Sequence, residues 1–223
     1  ADGNEKTGNG ATPLIVAIVQ RQPAVAERLL DFPAVAQGIN EFFVQTDPKQ
    51  RTAFHLAVER GQASVVARML TFGSNVNAPD AAGVTPLEHA ILRGDLPLVR
   101  TLVAHGADLN KPENSARTPL FLACNAAEIT DGKLRADIVG FLLRAGADPD
   151  MAVAGTKLTP LHAAILSGSG RETVSPLLHY ALNKEMADDE GNPPIFYAIP
   201  KSGTDLLQAL LDAEIGRASC RAR

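Results

Sequence analysis

The 223-residue chain predicts an all-α repeat fold, a solenoid of stacked helix-turn-helix units, on three observations. A Thr-Pro-Leu phrase returns along it: Thr12-Pro13-Leu14, Thr52-Ala53-Phe54-His55, Thr85-Pro86-Leu87, Thr118-Pro119-Leu120 and Thr159-Pro160-Leu161-His162, with a degraded sixth copy at Pro193-Pro194-Ile195. The steps between copies are 40, 33, 33, 41 and 34 residues, a base period near 33 with two insertions. About 18 residues into each copy stands an apolar pair: Leu29-Leu30, Met69-Leu70, Leu102-Val103, Leu142-Leu143, Leu177-Leu178 and Leu210-Leu211. Finally, three copies close on a glycine, Gly73, Gly106 or Gly146, followed by Asn, Asp and Pro.

Each Thr suits the N-cap of a first helix, and the Pro after it suits the first helical position, where its fixed φ fits and no N–H is needed. The apolar pair marks a second helix. Upstream of it Val65-Val66, Leu98-Val99 and Ile138-Val139 fall on the same face at helical spacing. One helix pair cannot bury that face alone, so neighbouring repeats must cover it. Gly73, Gly106 and Gly146 stand where a left-handed residue ends a helix without a Cβ penalty. The segments after them, such as Asn75-Val76-Asn77-Ala78-Pro79-Asp80, carry the chain back toward the next first helix.

The departures, in order, locate irregular structure. Residues 1–10 read as a polar leader, and residues 11–213 as the array. Between Leu30 and Thr52 the connection is longer by about seven residues, and Phe32, Val35, Ile39, Phe42 and Phe43 make it too apolar for a loop in solvent. It is expected to pack on the array. Repeat four separates its helices by about seven extra residues, from Ala126 to Arg135, expected as a solvent-exposed insertion turning at Thr130-Asp131-Gly132-Lys133. Repeat five ends in Tyr180-Ala181-Leu182-Asn183 instead of Gly-Ala-Asp, and repeat six has Pro193 in place of the capping Thr. The C-terminal repeats are therefore expected to be the least stable. Residues 214–223 look like the in-frame translation of a sequencing adapter and are set aside as non-native; the alternative is an ordinary basic tail.

Taken together, T-P-L-H, then V-V-x-x-L-L, then G-A-D-x-N in phase resemble ankyrin repeats, from Thr12 to about Ala213. The resemblance implies six units with degenerate terminal ones, joined by β-hairpin-like loop fingers into a curved, right-handed array. It places His55 and His162 in a structural position, where the imidazole bonds the preceding Thr and neighbouring backbone. Repeat one carries Ile15 there.

The same residues offer no chemistry. Five histidines come with no HExxH or Cys-rich ligand spacing, so neither a metal nor a catalytic set is expected, and no cofactor is implied. Gly168-Ser169-Gly170 lacks the spacing of a phosphate loop, and Arg93-Gly94-Asp95 falls at a turn between helices. Cys124 reads as a small packing group. Two distant cysteines suggest no disulfide, which favours an intracellular, cytoplasmic setting. No apolar run approaches a membrane span. A net charge of −4 and 4% aromatic residues argue against nucleic-acid binding.

Function then rests on the resemblance, in which finger tips and the exposed edge of the first helix line a concave groove. The matching positions are Lys49, Arg51, Glu59 and Arg60 in repeat two; Ala81, Ala82, Val84, Leu92 and Arg93 in repeat three; and Asn114, Ser115, Arg117 and Asn125 in repeat four. Lys49, Arg51, Arg60, Arg93 and Arg117 outnumber Glu59, so the expected partner of this monomer is a protein or peptide, acidic or phosphorylated. The competing reading is that long basic stems merely cover apolar surface with solvated heads. The expected role is a protein-interaction module without enzymatic activity. The alternative role is the targeting or regulatory ankyrin segment of a larger enzyme or channel.

Overall fold

Each Thr of the recurring phrase caps a helix. In the computed structural model Thr12, Thr52, Thr85, Thr118 and Thr159 are all extended, and each side-chain oxygen accepts the N–H of the residue three positions on. The structure describes residues 11–37, 39–40, 49–110, 117–199 and 204–213. The leader and tail expected at residues 1–10 and 214–223 lie outside the described residues.

The chain divides into two units, Ala1–Asp108 and Leu109–Arg223. In the first, α1 (Pro13–Val19) pairs with α2 (Pro23–Leu29), α4 (Ala53–Glu59) with α5 (Ala63–Thr71), and α6 (Pro86–Leu92) with α7 (Leu96–Ala104), while α3 (Pro33–Gln37) occupies the first insertion. The first helices stack as α1 on α4 on α6, and the second as α2 on α5 on α7. In the second unit α8 (Pro119–Asn125) pairs with α9 (Gly132–Arg144), α10 (Pro160–Leu166) with α11 (Arg171–Tyr180), and α12 (Pro194–Ala198) with α13 (Thr204–Asp212). There α8 stacks on α10 on α12, and α9 on α11 on α13. Regular structure among the described residues is thus all-α, as expected.

Helices of two turns are too short to persist alone, so burial must hold them. One member of every apolar pair is fully enclosed: Leu30, Met69, Leu102, Leu142, Leu177 and Leu210. Equally buried in the first helices are Ile18, Val58, Ile91, Leu120 and Ile165. Each such side chain contributes about 2 kcal/mol on burial, against backbone ordering of similar size per residue.

The turn inside four of the pairs is closed by one repeated bond, Gln22 N–H to Ala17 O, Gln62 to Ala57, Asp95 to Ala90 and Ser169 to Ala164. Left-handed backbone makes that bond possible, at Gly61, Gly94 and Gly168, and at Arg21 in repeat one. Asp95 of the Arg-Gly-Asp tripeptide caps α7 through Leu98 N–H.

Of the apolar insertion, Val35 and Ile39 are buried as expected and Phe32 is exposed; Phe42 and Phe43 lie outside the described residues. In the repeat-four insertion Thr130, Asp131, Gly132 and Lys133 are exposed as expected, but Gly132 and Lys133 already belong to α9 and the stretch before them is partly buried. Ala126 and Ile129 are buried, and Asp131 caps α9 through Lys133 and Leu134 N–H. The cause is non-local: Arg135 reaches back from α9 to donate to Ala126 O and Ile129 O, and onward to Ser169 Oγ of the next repeat.

Candidate partner-binding site

Two of the described fingers are built around an aspartate five positions before the Thr or its substitute. Asp80 Oδ1 accepts the N–H groups of Ala82 and Val84 at 2.9 and 3.0 Å, and the finger closes by Asp80 N–H to Val84 O at 3.0 Å. Its second oxygen meets His89 Nε2 at 3.3 Å. Repeat six repeats the device. Asp188 Oδ1 accepts from Glu190 and Asn192 N–H, and Tyr197 donates its hydroxyl to Oδ2 at 2.5 Å. Burial by itself would raise the Asp188 pKa, but these three donors together hold it below the usual carboxylate range. Each finger also needs a left-handed residue two positions before the Thr or its substitute. Gly83 and Gly191 supply it, but Gln50 and Lys157 adopt φ of 49° and 53° there. Adjacent fingers join by Ala81 N–H to Lys49 O and by Asp189 N–H to Thr156 O.

Buried imidazoles fasten two of the fingers to the helix behind them. His55 Nδ1 sits 2.8 Å from Thr52 Oγ1 and accepts Thr52 N–H, and its Nε2 lies 2.7 Å from Ala78 O in the next finger. With Nδ1 accepting, Nε2 carries the proton and donates. His162 repeats this with Thr159 and Asn192 O. Burial lowers both imidazole pKa values, so both rings are neutral at pH 7. In repeat three Glu88 takes the position, fully buried, with Oε2 accepting Thr85 N–H at 2.6 Å. Cys124 is fully enclosed, and burial pushes its thiol well above the ordinary range, which removes it as a nucleophile.

A third device ties finger bases together within each unit. Asn40 Oδ1 accepts Asn75 N–H, and Asn77 Oδ1 accepts Asp108 N–H at 2.8 Å. In the second unit Asn110 Oδ1 accepts Asp148 N–H, and Asp150 Oδ2 accepts from Leu182 and Asn183 N–H. The Asn of G-A-D-x-N was the sequence signal for this ladder, and Asp80 and Asp188 were signalled by Asp-x-x-Gly before the Thr or Pro.

The predicted site residues fall into three groups. In the first unit Arg51 pairs with Glu59, and Arg93 Nη1 donates to Glu59 O at 2.7 Å, so these three meet. Arg93 also lies over Gly61, where an added Cβ would come within 2.5 Å of Nη2. Its guanidinium thus caps the preceding repeat. Lys49, Ala81 and Ala82 are exposed at the finger tips, while Arg60, Val84 and Leu92 are half-buried beside them. In the second unit Arg117 and Asn125 are exposed; Asn114 and Ser115 lie outside the described residues.

Comparison with known proteins agrees with this anatomy. An ankyrin-repeat family model of three copies matches residues 1–80, 32–113, 55–151 and 125–219. An ankyrin repeat domain of Acinetobacter baumannii AYE superposes with a TM-score of 0.69 at 28% identity, covering 80% of this chain and 85% of that one. The ARF GTPase-activating protein Git of Drosophila melanogaster is 32% identical over 91 residues, 39% of this chain; the match spans only 12% of Git. With matched segments running through nearly its whole length, the chain belongs to the ankyrin-repeat family.

Proposed function

We propose that this chain binds a partner protein or peptide through its finger tips and the adjoining edge of the first helices. Ankyrin repeats generally mediate protein–protein interaction. The observation that carries the reading is the division of labour in each repeat. Thr52, His55, Asp80, Asn77 and their counterparts are committed to internal bonds, which present Lys49, Ala81 and Ala82 on a fixed frame. A preorganised frame lowers the ordering cost of binding.

The partner surface is acidic or phosphorylated in this reading. Glu59 offsets Arg51, but Arg60 and Arg93 remain as cations in the first unit and Arg117 in the second. The test uses Arg60→Glu and Arg117→Glu, which spare Arg93 and its capping role. A partner captured by the wild-type chain should bind these variants at least tenfold more weakly, with an unchanged unfolding midpoint. Capture that is indifferent to both variants sinks the proposal. Affinity insensitive to salt sinks its electrostatic part.

The Git match favours a second reading, an ankyrin segment within a larger enzyme or channel. Sequencing the source transcript across the codons of residues 213–221 tests it together with the non-native status of 214–223. Adapter codons followed by further coding sequence support both, and genuine codons ending in a stop count against both.

A further inference from the structure

Repeat five breaks the pattern at a place where the frame itself is intact. In each earlier interlock the residue that donates its N–H to the neighbouring finger is polar: Asn75, Asp108 or Asp148. Just before it stands a buried small side chain, Ser74, Ala107 or Ala147. In repeat five Ala181 is the buried small residue, and the donor is Leu182, whose side chain is 96% exposed. Its backbone does not wander, since the Asp150 carboxylate holds both Leu182 and Asn183 N–H. A leucine is thus displayed on a pinned main chain where its counterparts carry polar groups. Tyr180 is 40% exposed beside it, edge-on to His179 at 5.1 Å.

Flanking these two residues in sequence, His179 and Lys184 help line an open cleft between α11 and α13. One stripe of α11, Arg171, Ser175, Leu178 and His179 at i, i+4, i+7 and i+8, lines one wall. Lys184 closes an end, and Asp212 of α13, which accepts from Gln208 Nε2 at 2.7 Å, faces them. Two permanent cations and an imidazole thus meet one carboxylate already engaged by an amide. Glu172 and Glu185 neighbour them in sequence but do not line the cleft.

We infer that this face is a second docking surface, fitted to an acidic peptide segment carrying one apolar or aromatic side chain. The apolar group covers Leu182 and Tyr180, and flanking carboxylates face Arg171 and Lys184. Leu182 supplies contact area whose desolvation favours binding, and the cations supply direction and partner choice. None of these residues belongs to the finger and first-helix set, so the inference stands or falls separately from the proposed function.

The experiment pans a random twelve-residue peptide phage library on the immobilised full chain, with Leu182→Asp protein as the counter-selection. Leu182→Asp restores the polar type of the other repeats and leaves the backbone bonds in place. Enriched peptides should pair Asp or Glu with Phe, Trp or Leu. As synthetic peptides they should bind Leu182→Asp at least tenfold and Lys184→Glu about fivefold more weakly, with unchanged unfolding midpoints, and Arg60→Glu normally. Four results with peptides overturn the inference: no enrichment, enriched peptides without acidic residues, equal binding to Leu182→Asp, or loss of binding in Arg60→Glu. Phosphatidylserine and phosphatidylcholine vesicles form the last arm. Leu182-dependent vesicle binding would assign the face to an anionic membrane and likewise overturn the peptide.

Discussion

Repeats three and six use the same finger and different helix starts. In repeat three Asp80 gathers two N–H groups and His89, and Thr85 with Glu88 closes a reciprocal cap on α6. In repeat six Asp188 gathers two N–H groups and Tyr197, yet Pro193 offers no side-chain cap to the five-residue α12. Glu88 is fully buried, whereas Phe196 at the corresponding position is half exposed. Finger and cap are therefore separate devices that degrade independently. A finger can survive as a well-made loop while the helix behind it loses its start.

The largest effect should come from the fastener. His55→Ala empties a buried site and leaves Ala78 O without its donor, costing about 3 kcal/mol, whereas Phe196→Ala at the corresponding place should cost less than about 1 kcal/mol. Denaturant midpoints at constant m-value decide, and equal losses would break the comparison. Next come the fingers, which should respond alike. Asp80→Ala and Asp188→Ala each strip two backbone donors of a charged acceptor, for about 2 kcal/mol apiece. A much smaller loss in Asp188→Ala would show that the repeat-six finger contributes little despite its geometry.

Acid should then weaken the fasteners. Unfolded imidazole protonates near 6.5, while burial keeps His55 and His162 neutral to lower pH. Below about pH 6.5 the unfolded chain thus binds more protons, and stability falls as pH drops from 7 toward 5. Asp188 adds no slope there, because its depressed pKa costs stability only at lower pH, through and below the ordinary carboxylate range. Stability that is flat from pH 7 to 5 would contradict the assigned neutral rings. Capping is worth less: Pro193→Thr should raise stability by about 1 kcal/mol if α12 lacks only its cap. Smallest is Lys157→Gly, which relieves a left-handed φ of 53° and should gain about 0.5 kcal/mol. A loss there would mean that Lys157 makes a compensating contact.

What was legible in the chain was whatever one residue decides locally. Thr caps and helix-closing glycines announce themselves because each meets a fixed backbone demand, and the apolar pairs because burial repeats with the helix. The His55 and His162 positions followed from the same phrase once its resemblance was recognised. Contacts across repeats stayed hidden. Nothing local signals the burial of Ala126 and Ile129, over whose carbonyls Arg135 folds back. The bond of Arg93 to Glu59 O joins residues 34 apart and likewise has no local signal. The roles of Asp80 and Asp188 are not legible in the Thr-Pro phrase, because the finger depends on the residue five positions before it.

Native-state hydrogen exchange, residue by residue, tests the separation of finger from cap most directly. The amides of Leu56, His89 and Ala163, each bonded back to a capping Thr carbonyl, should exchange far more slowly than those of Tyr197, Ala198 and Leu206 to Leu211. Asn192 N–H, held by Asp188, should stay protected beside that fraying helix pair. Uniform protection through Leu211 would contradict the account, as would an Asn192 amide that exchanges as fast as α12.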